Sequence, residues 1–402
     1  MIVYIKKILT LPFFNQKKYS ILLWLALAVF SALKLFLTFD KTRYNNYLIY
    51  KNVYYNTVKQ VSLYAENPAL FLDSNHYGPI FSIIIAPFAI LPDGFGMVLW
   101  NIFNAGFLIW AISKLPIQQS KINLIFWICA HELLTSLLSL QFNPLMTSII
   151  ILSFVFIHNK KEFWAALFII IGTYVKLYGI VGLAFFFFTK NKIKFIAALL
   201  FWSIVLFVLP MLISSPEFIC KSYLEWFDSL VHKNDLNGSL TSMQDISVMG
   251  MFRRILQNPN LSNIPFLIIG LIAFAVPYTK YKLYDNLQYR LLLLASVLLF
   301  TVIFSTGSES PTYIIAFVGV AIWYVIKQKP ISNLDVFLFV LAMILTSFSP
   351  SDLMPGYIRN NFIKPYALKA LPCVLIWIKI VYEMLVIDTT KVINSHKKVD
   401  NE

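Results

Sequence analysis

FWAALFIIIGTYVKLYGIVGLAFFFFT, residues 163–189, is the stretch on which the reading of the fold turns. It is apolar almost throughout and is interrupted only by Thr173, Tyr174 and Lys176 near its middle. Lysines close it at both ends, Lys160 and Lys161 before it and Lys190, Lys192 and Lys194 after it. A bilayer core about 30 Å thick takes ~20 apolar residues as helix, and each half here makes only about 20 Å. Basic residues collect on the cytoplasmic side of a membrane, so lysines at both ends require an even number of crossings. The favoured reading is a hairpin of two short helices that turn at Lys176, with the lysine sunk below the outer headgroups. The other option is a single crossing that breaks the charge rule.

The rest of the chain repeats the pattern. Of its 402 residues, 59% are hydrophobic, 36 are Phe and only 13% are charged. A soluble domain of this length has nowhere to hide so much apolar surface. Further apolar runs cover 20–38, 94–113, 122–140, 144–157, 193–213, 265–279, 291–306, 312–326, 334–348 and 366–387. With the two halves of the hairpin they give about twelve transmembrane helices and an all-α, polytopic membrane protein, organised as a single domain over 1–402. The short gaps alternate. One set holds Lys6, Lys7, Lys17 and Lys18; Lys114 and Lys121; Lys280, Lys282 and Arg290; Lys327 and Lys329; and Lys391, Lys397 and Lys398. These are expected in the cytoplasm, together with the tails 1–19 and 388–402, in a bacterial inner membrane. The first run follows four lysines without a small-residue cleavage site and reads as a signal anchor.

The net charge of +14 is mostly this bias. Nucleic acid is not an expected partner, because no basic, aromatic-interleaved soluble segment exists to hold it; attraction to anionic lipid accounts for the charge. Cys129, Cys220 and Cys373 have no metal-ligand spacing and are odd in number for a disulfide set. No metal site and no cofactor are expected, and no nucleotide-binding loop is present.

The polar residues left over collect in three outer segments, 40–93, 214–263 and 349–365. In the first, Tyr47, Tyr50, Tyr54, Val58 and Val61 recur at helical spacing, which predicts an amphipathic helix lying in the interface. Residues 79–91, punctuated by Pro79, Pro87 and Pro92, predict a second interfacial helix too short to span.

Several short motifs in these segments resemble glycosyltransferase family 87. They are Asn46-Tyr47-Leu48-Ile49-Tyr50, Leu63-Tyr64, Tyr77-Gly78-Pro79-Ile80-Phe81, residues 86–92, Leu99-Trp100-Asn101-Ile102-Phe103-Asn104, Gln141-Phe142-Asn143-Pro144, and Gly172 through Lys176-Leu177-Tyr178. Gly179 stands where the family's Gly…Lys-x-x-Pro stretch has proline. Glu309-Ser310-Pro311-Thr312-Tyr313 and residues 365–372 resemble a branch found in Bacteroidetes-type sequences. The resemblance implies a membrane-embedded transferase of the GT-C fold. It would move a hexose, typically mannose, in one inverting displacement from a polyprenyl-phosphate donor to an extracytoplasmic glycan or glycolipid acceptor.

Such a reaction needs a base for the acceptor proton, cations for the leaving phosphate and a groove open to lipid. The family's usual base is the Asp that begins its Asp-aromatic-x-Val-Tyr motif, and Asn46 stands at that place. An amide does not take a proton at neutral pH, so either the base lies elsewhere or the chain lacks the activity. Asp40 is the first alternative, Glu309 the second and Asp73 the third, although each also reads as a surface or capping carboxylate. For the donor phosphate, Lys176 leads because an ionisable group inside an apolar hairpin is costly; snorkelling is its bland reading. Arg253, Arg254 and Lys369 follow it, and headgroup contact would explain them equally. Tyr47, Tyr50, His76, Tyr77, Gln141 and Asn143 complete the substrate-binding candidates, with Trp226 a further candidate ring for a sugar. Asp245 reads as loop surface, and His131 and Glu132 as mid-span packing. Two other classes stay open. A lipid-linked sugar transporter or flippase would show internal repeats and midplane charges. A glycan polymerase or ligase would use a large outer loop such as that bearing Asp228, His232, Arg253 and Arg254.

Overall fold

The computed structural model describes residues 16–387. The remainder of both tails, with Lys6, Lys7, Lys391, Lys397 and Lys398, lies outside the described residues. The chain packs into two compact units, divided between Leu236 and Asn237. Among the described residues every regular element is helical and no strand occurs.

In the first unit the elements are α1 (Lys17–Phe36), α2 (Asn45–Lys59), α3 (Phe81–Ala89), α4 (Asp93–Ser113), α5 (Gln119–Leu137), α6 (Asn143–His158), α7 (Glu162–Val175), a 3-10 segment (Leu177–Phe188), α8 (Lys192–Val208) and α9 (Pro216–Asn237). The apolar runs read from the sequence all fall on helices. Among the described residues three segments, Lys17–Phe36, Asp93–Ser113 and Lys192–Leu212, are long and apolar enough to cross a membrane. The others are shorter apolar helices. The last of the three leaves Leu200, Ile204 and Leu212 more than 60% exposed. Apolar surface on that scale is solvated by lipid rather than water.

The hairpin at 163–189 is present. Lys176 has an extended backbone, φ −151° and ψ 119°, and breaks α7 from the 3-10 segment. Its N–H bonds Gly172 O at 2.9 Å, and the Gly179 N–H bonds Lys176 O at 3.1 Å. The two arms then run antiparallel in contact. A Cβ on Gly179 would lie 2.1 Å from the Gly172 carbonyl carbon, and one on Gly182 would lie 2.6 Å from Ile169. At the open end the Thr189 hydroxyl donates to Glu162 Oε1 at 3.0 Å. The second arm is a 3-10 helix, which rises about 2.0 Å per residue against 1.5 Å in an α-helix. It therefore spans more depth than the α-helix expected there.

The two short helices expected in segment 40–93 are α2 and α3, which pack on each other. The buried face of α2 differs from the expected one. It is formed by Tyr47, Tyr50, Val53 and Thr57, while Val58 and Val61 are about half exposed. The Thr57 hydroxyl bonds Val53 O and satisfies itself inside that face, so a polar residue continues the buried stripe where the sequence pattern favours valine.

The second unit holds α10 (Val248–Ile255), α11 (Ile264–Ala275), α12 (Leu287–Ile303), α13 (Tyr313–Val325), α14 (Asn333–Leu341) and α15 (Leu371–Val386). Its core is the antiparallel pair α12 and α13, with nearly every residue buried. Such helices, apolar all round, are those surrounded by other helices. Asn286, Ser332 and Ser247 cap α12, α14 and α10 through hydrogen bonds to Tyr289, Asp335 and Gly250 N–H, each worth about 1 kcal/mol.

Candidate active site

In the first unit, segments far apart in sequence meet where α2, α5, α6 and the α7 hairpin end. The N-terminal turn of α2 is tied at two points. Asn45 Oδ1 accepts from Leu72 N–H at 2.8 Å, and Asn46 Nδ2 donates to Ser139 O at 2.8 Å, just past the end of α5. One turn on, the Tyr50 hydroxyl meets the Tyr77 hydroxyl at 3.0 Å. Their rings belong to a cluster with Phe81, Trp100 and Phe142 at centroid separations of 4.7–6.2 Å. Edge-on pairs of this kind add about 0.5–1.5 kcal/mol each beyond burial. The cluster forms a rigid floor.

Above that floor runs a polar chain. Asn143, at the N-terminus of α6, donates from Nδ2 to Gln141 Oε1 and accepts at Oδ1 from Lys176 Nζ at 3.3 Å. The Lys176 ammonium also sits 4.5 Å from the centre of the Tyr178 ring. The amide of Asn143 is thereby oriented, with its oxygen committed to the lysine. Gly78 joins the first outer segment to the hairpin tip. Its N–H bonds Val175 O at 3.1 Å, and a Cβ there would lie 2.0 Å from Tyr174 O.

His76 and Asp73 complete the group. His76 Nδ1 lies 3.0 Å from Ser229 Oγ, and His76 Nε2 lies 3.8 Å from Asp73 Oδ1. Asp73 also pairs with Lys233 Nζ at 3.1 Å and accepts from Ser74 N–H. Burial on its own would raise the Asp73 carboxyl, but His76, Ser74 and Lys233 outweigh it and hold the group well below the usual carboxylate range. A carboxylate so depressed favours the folded state above the unfolded value near 3.9. That contribution disappears only as the pH falls through the lower folded value, so the Lys233 link is complete above about pH 4.

The sequence candidates separate on this geometry. Asn46, Tyr50, Tyr77, His76, Asp73, Gln141, Asn143 and Lys176 all belong to the connected group. Tyr47 does not offer a sugar face, because it is fully buried with its hydroxyl on Phe88 O. Asp40 is exposed and caps the turn that follows it. Its Oδ1 accepts from the Thr42 hydroxyl and N–H, Arg43 pairs with it at 3.6 Å, and those hydrogen bonds lower its carboxyl. Trp226 is buried with its indole N–H on His76 O at 2.9 Å, so it supports the histidine loop from behind.

Ser229 and Lys233 were not picked out by sequence reasoning. The signal was present as the helical spacing Ser222, Trp226, Ser229, Lys233, all turned toward one side of α9.

A second polar cluster lies within the second unit. Asp245 is 2% exposed, which corrects its reading as loop surface. Arg253 grips Asp245 Oδ2 through Nε at 3.0 Å and Nη2 at 2.7 Å, and reaches Leu261 O and Asn263 Oδ1 through Nη1. Arg254 donates to Asp245 O, Ser242 O and Gln244 O. Both guanidinium groups are buried and turned into their own loop. Burial pushes the Asp245 carboxyl up, against the hydrogen bonds from Ser247 and Arg253. Removing the carboxylate by Asp245→Ala leaves a buried Arg253 without its partner. The expected loss is about 3–5 kcal/mol, read as a lowered unfolding midpoint, with Arg253→Met in the same background restoring part of it.

Glu309 closes a capping box with Thr312, and its Oε1 accepts from Gln244 Nε2 at 3.1 Å. Lys369, 4% exposed, donates to Ser310 Oγ at 3.1 Å and lies 5.1 Å from the Tyr313 ring centre. Asp228 and His232, which kept the polymerase class open, are exposed on α9. Glu132 is fully buried in α5, beside the half-buried His131. Cys129 and Cys373 are buried and Cys220 is exposed. Among the described residues no group of three His, Cys, Asp or Glu side chains is placed to hold a metal ion.

An all-helical fold with lipid-type apolar exposure and, in its first unit, a concentrated group of amide, lysine, histidine and tyrosine side chains suits a membrane protein that handles a polar substrate. Residues 75–306, more than half of the chain, match the model of glycosyltransferase family 87. The protein belongs to that family and is a glycosyltransferase. The chain matches no curated protein.

Proposed function

We propose that this glycosyltransferase moves a hexose, mannose in the first instance, from a polyprenyl-phosphate carrier to an extracytoplasmic glycan or glycolipid acceptor. The shorter apolar helices act as further crossings, the termini face the cytoplasm of a bacterial inner membrane, and the polar group of the first unit works on the outer face. The observation that carries this reading is Lys176. It is a cation at the turn of an otherwise apolar hairpin, oriented by Asn143 and backed by Tyr178. A lysine kept in such surroundings is suited to a single anionic group arriving from the lipid, and a lipid phosphate meets that description.

In the displacement the acceptor oxygen bonds to the anomeric carbon while the bond from that carbon to the phosphate oxygen breaks. Negative charge then grows on the phosphate, and Lys176 is positioned to balance it. The acceptor proton needs a base in place of Asn46. We assign it to His76, with Ser229 at Nδ1 orienting the ring and the Asp73 carboxylate 3.8 Å from Nε2, because histidine is the residue that most often fills that role. Half-buried Tyr77 offers a ring edge and hydroxyl for the sugar, held from beneath by buried Tyr50. Glu309 and Lys369 stay as a second candidate pair, confined to the second unit.

His76→Gln is the experiment for the base. Transfer from the lipid carrier is expected to fall about 10²–10⁴-fold with the unfolding midpoint little changed. Asp73→Asn is expected to fall less. Full activity in His76→Gln removes histidine from the role, and Glu309→Gln then becomes the variant to assay.

A further inference from the structure

We infer that α9 is seated in the outer leaflet as an interfacial helix, with lipid acyl chain covering the stripe formed by Cys220, Leu224, Phe227 and Val231. All four side chains are exposed. At 100° per residue they fall within an arc of about 60°.

The helix is sorted into three such arcs. Ser222, Trp226, Ser229 and Lys233 fill a second arc of about 60°. Three of them face the first outer segment: Trp226 bonds His76 O, Ser229 bonds Asn75 O and contacts His76, and Lys233 pairs with Asp73. Glu217, Lys221, Asp228, His232 and Asp235 fill a third arc of about 60°, and all five are exposed. The charged arc is centred roughly 80° from the apolar one. A helix lying at the boundary between lipid and water needs that arrangement, with one flank for acyl chains and the neighbouring flank for headgroups and solvent. So many charges bar α9 from spanning the bilayer.

The chain itself sets the depth. Lys192–Leu212 is one of the segments apolar enough to cross, and only residues 213–215 separate its end from Pro216. Three extended residues reach about 10 Å, so α9 begins at the membrane boundary. Tyr223 confirms the level, because its ring stacks on Phe207 of α8 at 4.7 Å and meets Tyr174 of α7 at 5.7 Å. Since the inner arc holds His76 and Asp73, the seating also fixes the height of that loop relative to the headgroups. The lipid contact stands whether or not His76 serves as the base.

The test needs no transfer assay. Cys220 is the one exposed cysteine among the described residues, so the unsubstituted full chain in lipid nanodiscs takes an environment-sensitive fluorophore there. Single cysteines follow in a Cys220→Ser background, at Leu224→Cys, Phe227→Cys and Val231→Cys on the apolar arc, and at Lys221→Cys, Asp228→Cys and His232→Cys on the charged arc. Labels at Cys220 and on the apolar arc are expected to emit blue-shifted and to lose at least half their intensity to spin-labelled lipid. Labels on the charged arc should show water-like emission and little quenching. Equal behaviour on both arcs overturns the inference. Blue-shifted emission that spin-labelled lipid does not quench overturns it as well, because protein and not lipid then covers the stripe.

Discussion

Lys176→Met is expected to lower transfer from a lipid-phosphate donor by about 10²–10³-fold, the usual cost of removing one preorganised group from a developing negative charge. The fall should appear mainly in kcat, because the phosphate gains charge as the bond to the sugar breaks and the lysine is worth most at that point. Methionine fills similar space in the apolar hairpin, so the fold should survive. Asn143 Oδ1 then loses the Lys176 donor, which costs about 1–3 kcal/mol, and the unfolding midpoint records that separately. Lys176→Arg keeps the charge on a different geometry and is expected to recover part of the rate. A lysine that merely snorkels to the headgroups would show neither the loss nor the partial rescue. Steady-state kinetics of the three proteins in liposomes decide between the two.

Gly179→Ala should damage the fold more than any other single methyl group in the hairpin. Its Cβ would sit 2.1 Å from the Gly172 carbonyl carbon and 2.2 Å from the Thr173 nitrogen, both backbone atoms that no rotamer change can move. Overpacking of this kind costs typically 1–3 kcal/mol and more where backbone must shift, so about 3 kcal/mol or above is expected. The arms would separate and carry Lys176 away from Asn143, removing activity with stability. Gly106→Ala is the control, because nothing lies within 4 Å of its Cβ and alanine favours helix by about 1 kcal/mol. Thermal unfolding in detergent should therefore rank Gly106→Ala at or above wild type and Gly179→Ala far below it. The same contact accounts for glycine where the family pattern has proline, since a ring at 179 would strike the same backbone.

Helix placement was legible because lipid-facing and core-facing helices alike need long apolar runs, and the hairpin was legible because charge at both ends fixed the parity. The buried face of α2 was misread since Thr57 hides its hydroxyl on its own backbone, which a pattern of apolar residues cannot register. The site was partly legible. Lys176 stood out as a charge in an apolar run, and Asn143, Gln141 and Tyr77 through family motifs. Asp40 drew attention by its nearness to Asn46 in sequence, yet its carboxylate turns to Thr42 and Arg43. Ser229 and Lys233 were hidden for the opposite reason. They lie more than 150 residues from His76 and Asp73 in sequence, and no local pattern signals a contact of that range. Arg253 and Arg254 show that a charged pair in a long loop can serve the loop's own carbonyl groups.

The most direct measurement is transfer of radiolabelled sugar from synthetic polyprenyl-phosphate-mannose and polyprenyl-phosphate-glucose in proteoliposomes containing acceptor lipid extract. Wild type, Lys176→Met and His76→Gln should be assayed side by side. The account predicts label moved from one of the two carriers by wild type and lost in both variants, with His76→Gln unfolding near wild type and Lys176→Met lower only by its lost hydrogen bond to Asn143. No transfer from either carrier, or transfer that both variants retain in full, would contradict it.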